Sequence, residues 1–377
     1  MGDNTPIEWT DATVNVINGC SLASPGCTNC YAMKLAGTRM KNHPSRKGLT
    51  QESKGGPVWT GEVRFNENQL QQVLSWTRPR RIFWNAHGDM FHENVPVEWI
   101  DRCFAAMALT PHHTHQVLTK RADKMREYIT HHLTGLRIRT VMNELRPQPI
   151  IHMTWPLPNV WLGVSVEDQD RANERVPDLW ATPAAVRWIS SEPLLGPVQY
   201  ESLPMPSGME VCECTDHRPT FNALHGTVYC AGCCEGAERF DSSIDWVVAG
   251  GESGPGARPM HPDWARFQRD QCADGDVPFL FKQWGEWAPV CAMSEEALDA
   301  CYHPAPEDRP DASRERKVDQ CVLHSDGKRF NDRAMFQMPA FEAGSGAMTM
   351  MAIGKRDAGR LLDGVQHDGY PAARGDA

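Results

Sequence analysis

Between residues 81 and 281 short apolar runs alternate with segments of helical spacing. The runs are Arg81 to Asn85 (RIFWN), Gln116 to Thr119 (QVLT), Val160 to Ser165 (VWLGVS), Val186 to Ser190 (VRWIS), Trp246 to Ala249 (WVVA) and Phe279 to Phe281 (FLF). Several carry apolar side chains at consecutive positions, which predicts strands buried on both faces of a parallel sheet. A weaker strand is expected around Glu62 to Phe65. Leu70, Val73, Leu74 and Thr77 line one helical face before Arg78-Pro79 ends it. Val97, Ile100, Phe104, Met107 and Ala108 repeat that pattern, entered through Asn94 and Pro96.

Repeated strand–helix units predict a parallel α/β architecture. The expected form is a partial (β/α)6 barrel of about six strands, with an open doubly wound sheet as the alternative. No GxGxxG fingerprint follows a first strand, which argues against a dinucleotide-binding fold. Leu136 to Pro158 and Glu201 to Asp241 read as insertions, and Ser294 to Lys317, polar and acidic, as a mobile loop. The expected organisation is a barrel core over 1–290, a Cys-rich metal-binding insertion at 201–241, and a C-terminal extension over 291–377.

Composition narrows the class. A hydrophobic fraction of 41% and a charged fraction of 23% exclude a disordered chain. No run of apolar residues is long enough for a membrane span, and the first residues lack a basic, apolar leader. A cytoplasmic protein is expected. The net charge of −10 means that nucleic acid can be bound only through a local basic patch. Thirteen cysteines without an export signal are expected to be thiols or metal ligands rather than disulfides.

Cys20, Cys27 and Cys30 stand at C-x6-C-x2-C spacing in a loop whose Gly19 and Gly26 let the chain bend. A closed structural zinc site takes four ligands. Three thiolates in one loop suit an iron–sulfur cluster with one open iron, and a zinc site completed by His43 or another residue from afar is the alternative. The loop resembles that of radical S-adenosylmethionine enzymes, whose usual spacing is C-x3-C-x2-C. Here the first gap is six, Asn29 stands where those enzymes carry an aromatic, and Tyr31 follows the last cysteine. More closely, the chain resembles a bacteriophage and prophage family of three-cysteine, radical-SAM-like proteins. The stretches carrying that resemblance include IEWTDAT, GCSLASPGCTNCYA, NAHGDMFHENVP, VLTKRADKM, WISSEPLLGP, VVAGGESGPGARPM and GRLLDGVQHDG, and they span most of the chain.

In a parallel barrel the C-terminal strand ends carry the chemistry. Here they bring His87 and Asp89, Lys120 and Arg121, Glu167 and Asp168, Ser191 and Glu192, Gly250 to Ser253, and Lys282 with Gln283 to one expected mouth. The resemblance implies a [4Fe–4S] cluster and S-adenosylmethionine. It assigns Asp89 to the cofactor's ammonium and Lys120, Arg121 or Arg171 to its carboxylate. Ser165, Glu167 or Glu192 go to the ribose, and the Gly250-Gly251-Glu252 turn to the adenine. It also implies reductive cleavage to a 5′-deoxyadenosyl radical and an electron donor of flavodoxin or ferredoxin type.

Cys212, Cys214, Cys230 and Cys233 have the pairing of a zinc ribbon. An auxiliary iron–sulfur cluster or unligated thiols are the alternatives. Between Lys34 and Lys54 the chain gathers six Lys or Arg residues in a Gly-containing loop beside the first cysteines. Lys41, Arg46 and Lys47 are expected to meet phosphates. Three functions follow: a radical enzyme on a nucleobase, with rearrangement, modification or repair of a thymine substituent in phage DNA favoured; a radical enzyme on a small metabolite or peptide; and a non-catalytic, metal-dependent nucleic-acid-binding protein.

Overall fold

The computed structural model describes residues 5, 7–147, 153–206, 219–230, 238–239, 242–305 and 313–372. Its centre is a seven-stranded sheet: β1 (Ala12–Val14), β2 (Arg81–Trp84), β3 (Thr114–Thr119), β4 (Val160–Ser165), β5 (Val186–Ser191), β6 (Trp246–Gly250) and β7 (Phe279–Gln283). Neighbours in the sheet are neighbours in sequence, and every pair is parallel. A doubly wound sheet reverses its strand order at a switch point; this sheet has no reversal. The six apolar runs supply β2 to β7. β1 is the strand that the pattern does not reveal, because it is three residues long and centred on Thr13.

The sheet is curled, and Trp9 measures the curl. Its ring lies 4.8 Å from Phe83 on β2, 5.2 Å from Trp188 on β5 and 6.1 Å from Trp246 on β6. In a flat sheet β2 and β5 would be separated by three strand spacings, about 14 Å, too far for one indole to bridge. Trp9, Phe83, Trp161, Trp188, Trp246 and Leu280 therefore fill the inside of a partial barrel. The other face carries the larger core under the helices. All residues of β4, β5 and β6 are buried, as expected for strands covered on both faces.

Helices α1 (Tyr31–Gly37) and α2 (Glu67–Ser75) lie between β1 and β2, and α3 (Val97–Ala108) between β2 and β3. Next come α4 (Ala122–Thr130), α5 (Thr134–Leu145), α6 (Gln169–Trp180) and α7 (Pro262–Asp274). Much of the expected insertion at Leu136 to Pro158 is α5, which buries Ile138 and Met142. The expected strand at Glu62 to Phe65 is Arg64–Phe65 alone, paired antiparallel with Ile17–Asn18 outside the main sheet. The expected mobile loop after Ser294 opens with a helix, Glu295–Ala300, capped by the Ser294 hydroxyl.

Between β5 and β6, Leu203–Pro204, Pro219–Asn222, Thr227–Cys230 and Glu238–Arg239 form an antiparallel sheet. Leu203, Phe221 and Val228 are fully buried in the main core. The described part of this segment is thus held by apolar packing. Cys230 is buried at a strand end; Cys212, Cys214 and Cys233 lie outside the described residues. A second antiparallel sheet, Ala288–Pro289, Met348–Met351, Gln320–Leu323 and Arg329–Asn331, follows the barrel. The segment after it returns along β7. Phe281 N–H donates to His367 O at 3.0 Å, and Trp246 Nε1 to Gly369 O at 2.7 Å. The Tyr370 ring stacks on Trp246, and its hydroxyl donates to Glu8 O at 3.1 Å. This strap links the β7 edge to the chain just ahead of β1. No helix among the described residues is long and apolar enough to cross a membrane.

Candidate functional site

The cysteine loop follows β1 and lies across the C-terminal ends of the strands. Cys27 closes a single 3-10 turn, Pro25–Cys27, and Cys30 is the N-cap of α1. Each sulfur meets donors. Cys27 Sγ accepts from Ala23 N–H at 3.5 Å, Cys20 Sγ faces Arg121 Nη1 at 3.7 Å, and Cys30 is turned to the N–H groups of Ala32 and Met33. Burial, with Asp89 next, pushes the Cys20 thiol up to about 12, and burial also raises Cys30. A bound metal ion deprotonates a coordinating thiol outright, and N–H donors then stabilise the sulfur's charge. The three side chains line one cavity of about 490 Å³. Among the described residues no three His, Cys, Asp or Glu side chains close on a single metal ion. The soft, three-sulfur donor set around one cavity fits a multi-iron cluster, which spans more space than one ion.

Small polar residues beside the cysteines pin the loop to strand-end charges. Ser21, after Cys20, donates to Glu93 at 2.8 Å and accepts from Arg121 Nη2 at 2.6 Å. Ser24 donates to Glu167 Oε1 at 2.6 Å. Asn29, before Cys30, donates to Glu252 Oε2 at 3.0 Å. Gly26 is glycine because a Cβ there would overlap the Glu167 carboxylate. Ser21, Ser24 and Asn29 were not legible as site residues. Their only sequence signal is that each lies within three residues of a cysteine.

These tethers occupy several residues expected to hold a cofactor. Glu167 is fully buried, does not line the cavity, and is held by Lys120 and by Arg175 Nη1 at 2.9 Å. Burial opposes its charge, but Lys120 and Arg175 keep its carboxyl below the usual range. Asp89 lines the cavity, but its oxygens are taken: Oδ1 by Phe91 N–H and the Thr119 hydroxyl, Oδ2 by Lys120 N–H and Arg121 Nη1. It is spent on positioning Arg121, which is itself turned to Ser21 and Glu93 rather than to the cavity. Glu252 lines the cavity while gripping Arg258 through both oxygens.

Arg171 pairs with Glu174 on α6 at 2.8 Å, away from the cavity. Gly250 lies beneath Glu192, and Gly251, which does line the cavity, passes so close to Trp284 O that a side chain has no room. Lys120, Ser165 and Glu192 also line the cavity, with Lys282 at 2.8 Å from Glu192 Oε1.

The basic segment is not the loop expected. Thr50–Ser53 and Gly56–Trp59 pair as a hairpin. Lys47 is exposed, and Lys41 is exposed and paired with Glu52 at 2.8 Å. Arg46 is only 2% exposed, so it meets no phosphate at the surface; its Nη2 lies 2.7 Å from His87 Nδ1. Local charge density predicted a surface for phosphates, and tertiary packing buried one cation of the group.

A family model described as "Protein of unknown function (DUF5131)" matches residues 4–371. No curated protein and no solved structure matches the chain.

Proposed function

We propose that this chain, which belongs to the DUF5131 family, is a radical S-adenosylmethionine enzyme acting on a nucleobase, with a thymine substituent as its target. One observation carries the reading: Cys20, Cys27 and Cys30 line the same cavity as strand-end side chains from β2 to β7 of a sequentially wound parallel sheet. When bound, a [4Fe–4S] cluster and S-adenosylmethionine supply an electron and a carbon-centred radical source.

The chain's own residues do the rest. Cys20, Cys27 and Cys30 hold the cluster, and Ser21, Ser24 and Asn29 fix them before it arrives. Glu192 and Lys282 offer opposite charges to the amino and carboxylate groups of an amino acid. Gly251 presents bare backbone to the cavity, its side-chain position being filled by Trp284 O. Trp9, Phe83 and Leu118 form an apolar wall that excludes water. Tyr31 stands at the mouth, 55% exposed, with its hydroxyl donating to Ala86 O at 2.9 Å. An anchored aromatic ring beside the last cysteine is a surface on which a base stacks. The reducing electron is expected from a flavodoxin- or ferredoxin-type donor. Zinc at Cys212, Cys214, Cys230 and Cys233 rests on their spacing.

The test is anaerobic. The full chain, loaded with iron and sulfide, is incubated with reductant and S-adenosylmethionine, with and without thymine-containing DNA, and products are read by mass spectrometry. 5′-Deoxyadenosine is expected, increased by DNA, together with an altered nucleoside; Cys20→Ala, Cys27→Ala and Cys30→Ala each abolish both. No 5′-deoxyadenosine under any condition rejects the enzyme class. Cleavage indifferent to DNA, with all nucleosides unchanged, rejects the nucleobase in favour of a small metabolite.

A further inference from the structure

Arg121 is a cation held inside the cysteine-loop network. Its side chain is 11% exposed and does not line the cavity. Nε donates to Glu93 Oε2 at 2.7 Å, Nη2 to Ser21 Oγ at 2.6 Å, and Nη1 to Asp89 Oδ2 at 3.1 Å. Nη1 carries a second N–H, and it donates to Cys20 Sγ at 3.7 Å. The backbone is fixed as well: Arg121 is the N-cap of α4, and its own N–H donates to the Thr119 hydroxyl at 2.9 Å. All three nitrogens are engaged, so the guanidinium is not free to turn to a ligand in the cavity.

The donors at the other two sulfurs differ in kind. Cys27 Sγ meets the Ala23 N–H, and Cys30 meets the N–H groups of Ala32 and Met33 and the Trp59 indole. All of these are neutral. Among the described residues Arg121 is the one charged donor at a sulfur of the three cysteines, and it arrives 101 residues after Cys20 in the chain. A guanidinium stays charged at any working pH.

The potential of an iron–sulfur cluster responds to net charge and to hydrogen bonds on its sulfurs. Reduction adds an electron to a group whose three thiolates already carry negative charge. A cation at a ligand sulfur therefore stabilises the reduced form more than the oxidised one. Asp89 and Glu93 act in the opposite sense, and without Arg121 both carboxylates would remain beside the Cys20–Ser21 segment without that cation.

We propose that Arg121 sets the reduction potential of a cluster held by Cys20, Cys27 and Cys30, raising it through the charged N–H that it donates to Cys20 Sγ. It is a positioning residue that acts through Cys20, in place of the carboxylate-binding role that the resemblance implies for it. This rests on the cluster in the reading above, but on neither its radical chemistry nor its substrate.

The full chain and its variants are loaded anaerobically with iron and sulfide, without S-adenosylmethionine. They are titrated with dithionite and mediators, and the reduced fraction is read by electron paramagnetic resonance. One electron passes from dithionite to the cluster, and no bond to sulfur breaks. Arg121→Gln and Glu93→Gln break the same ion pair, so a purely structural role moves both variants in the same direction. The charge role moves them in opposite directions. At a fixed poise Arg121→Gln is expected to lower the reduced-to-oxidised ratio about tenfold, which is about 59 mV for a one-electron couple. The Glu93 side chain is 54% exposed, so its charge is partly screened, and Glu93→Gln is expected to raise the ratio about threefold.

An unmoved ratio in Arg121→Gln, or shifts of one sign in both variants, overturns the inference. Should Arg121→Gln fail to load, Glu93→Gln decides alone, and an unmoved or lowered ratio overturns it. A wild-type chain that assembles no cluster overturns the reading above and this inference with it. Opposite shifts in a chain that never cleaves S-adenosylmethionine uphold this inference and reject only the enzymatic reading.

Discussion

Substituting Ser24 and Glu167 singly and together isolates the tether between the cysteine loop and the end of β4. Ser24→Ala removes a 2.6 Å bond to a fully buried carboxylate. Hydrogen bonds to charged groups contribute about 1.5–3 kcal/mol, and the lower half applies here, because Glu167 keeps Lys120 and Arg175. Glu167→Gln preserves an acceptor for Ser24 but strands Arg175, which is 1% exposed and already has Nε and Nη2 unpartnered among the described residues. Breaking a buried pair from one side costs about 3–5 kcal/mol. In that background the Ser24 bond becomes neutral and roughly half as strong. The double variant is therefore expected to be less destabilised than the sum of the singles by about 1 kcal/mol, above the ~0.3–0.5 kcal/mol scatter of independent sites. Urea unfolding of the four chains, purified anaerobically and metal-free, measures the cycle. Strict additivity would show that the loop is not tethered through this bond.

Acid should weaken the fold before the carboxylates titrate. Burial, with Arg46 beside His87 and the His113 imidazole beside His115, holds both rings neutral in the folded chain, lowered to about 4 and about 3. The unfolded chain takes up protons at these positions below about pH 6.5. Stability thus falls as pH drops from about 6.5 to about 4, by roughly 1.4 kcal/mol per unit for each imidazole; equal urea midpoints at pH 7 and pH 5 would contradict this. At the opposite end of the barrel, Tyr370→Ala removes the stack on Trp246, the bond to Glu8 O and the Arg81 cation 4.7 Å above the ring. A loss of about 2 kcal/mol is expected with iron loading at the cysteines unchanged; reduced loading would mean that the strap also supports the site.

The strands were legible where physics leaves a local trace. A strand covered on both faces must be apolar at consecutive positions, and Val160 to Ser165 and Trp246 to Ala249 are. β1 left no such trace in three residues. The cysteines were legible because their ligand type and spacing lie within one loop. Their supports were not, because Ser24 and Glu167 stand 143 residues apart and Asn29 and Glu252 stand 223 apart. No window along the chain contains both halves of either bond. Arg46 misled for the same reason: its neighbours in sequence are solvated, while its partner, His87, arrives 41 residues later.

The strap gives the fold an order in time. Cys30 leaves the ribosome about 340 residues before Tyr370, which at 5–20 residues per second is roughly 17–70 s. During synthesis the loop gains its anchors one by one: Glu93 and Arg121 first, then Glu167, then Glu252. Until then its thiols belong to a nascent chain with no closed barrel around them. Thiols that are accessible and unligated are the ones that oxidise. Oxidative loss of these cysteines is thus a hazard of the growing polypeptide, and the finished protein, with its loop pinned at three points, is the safer state.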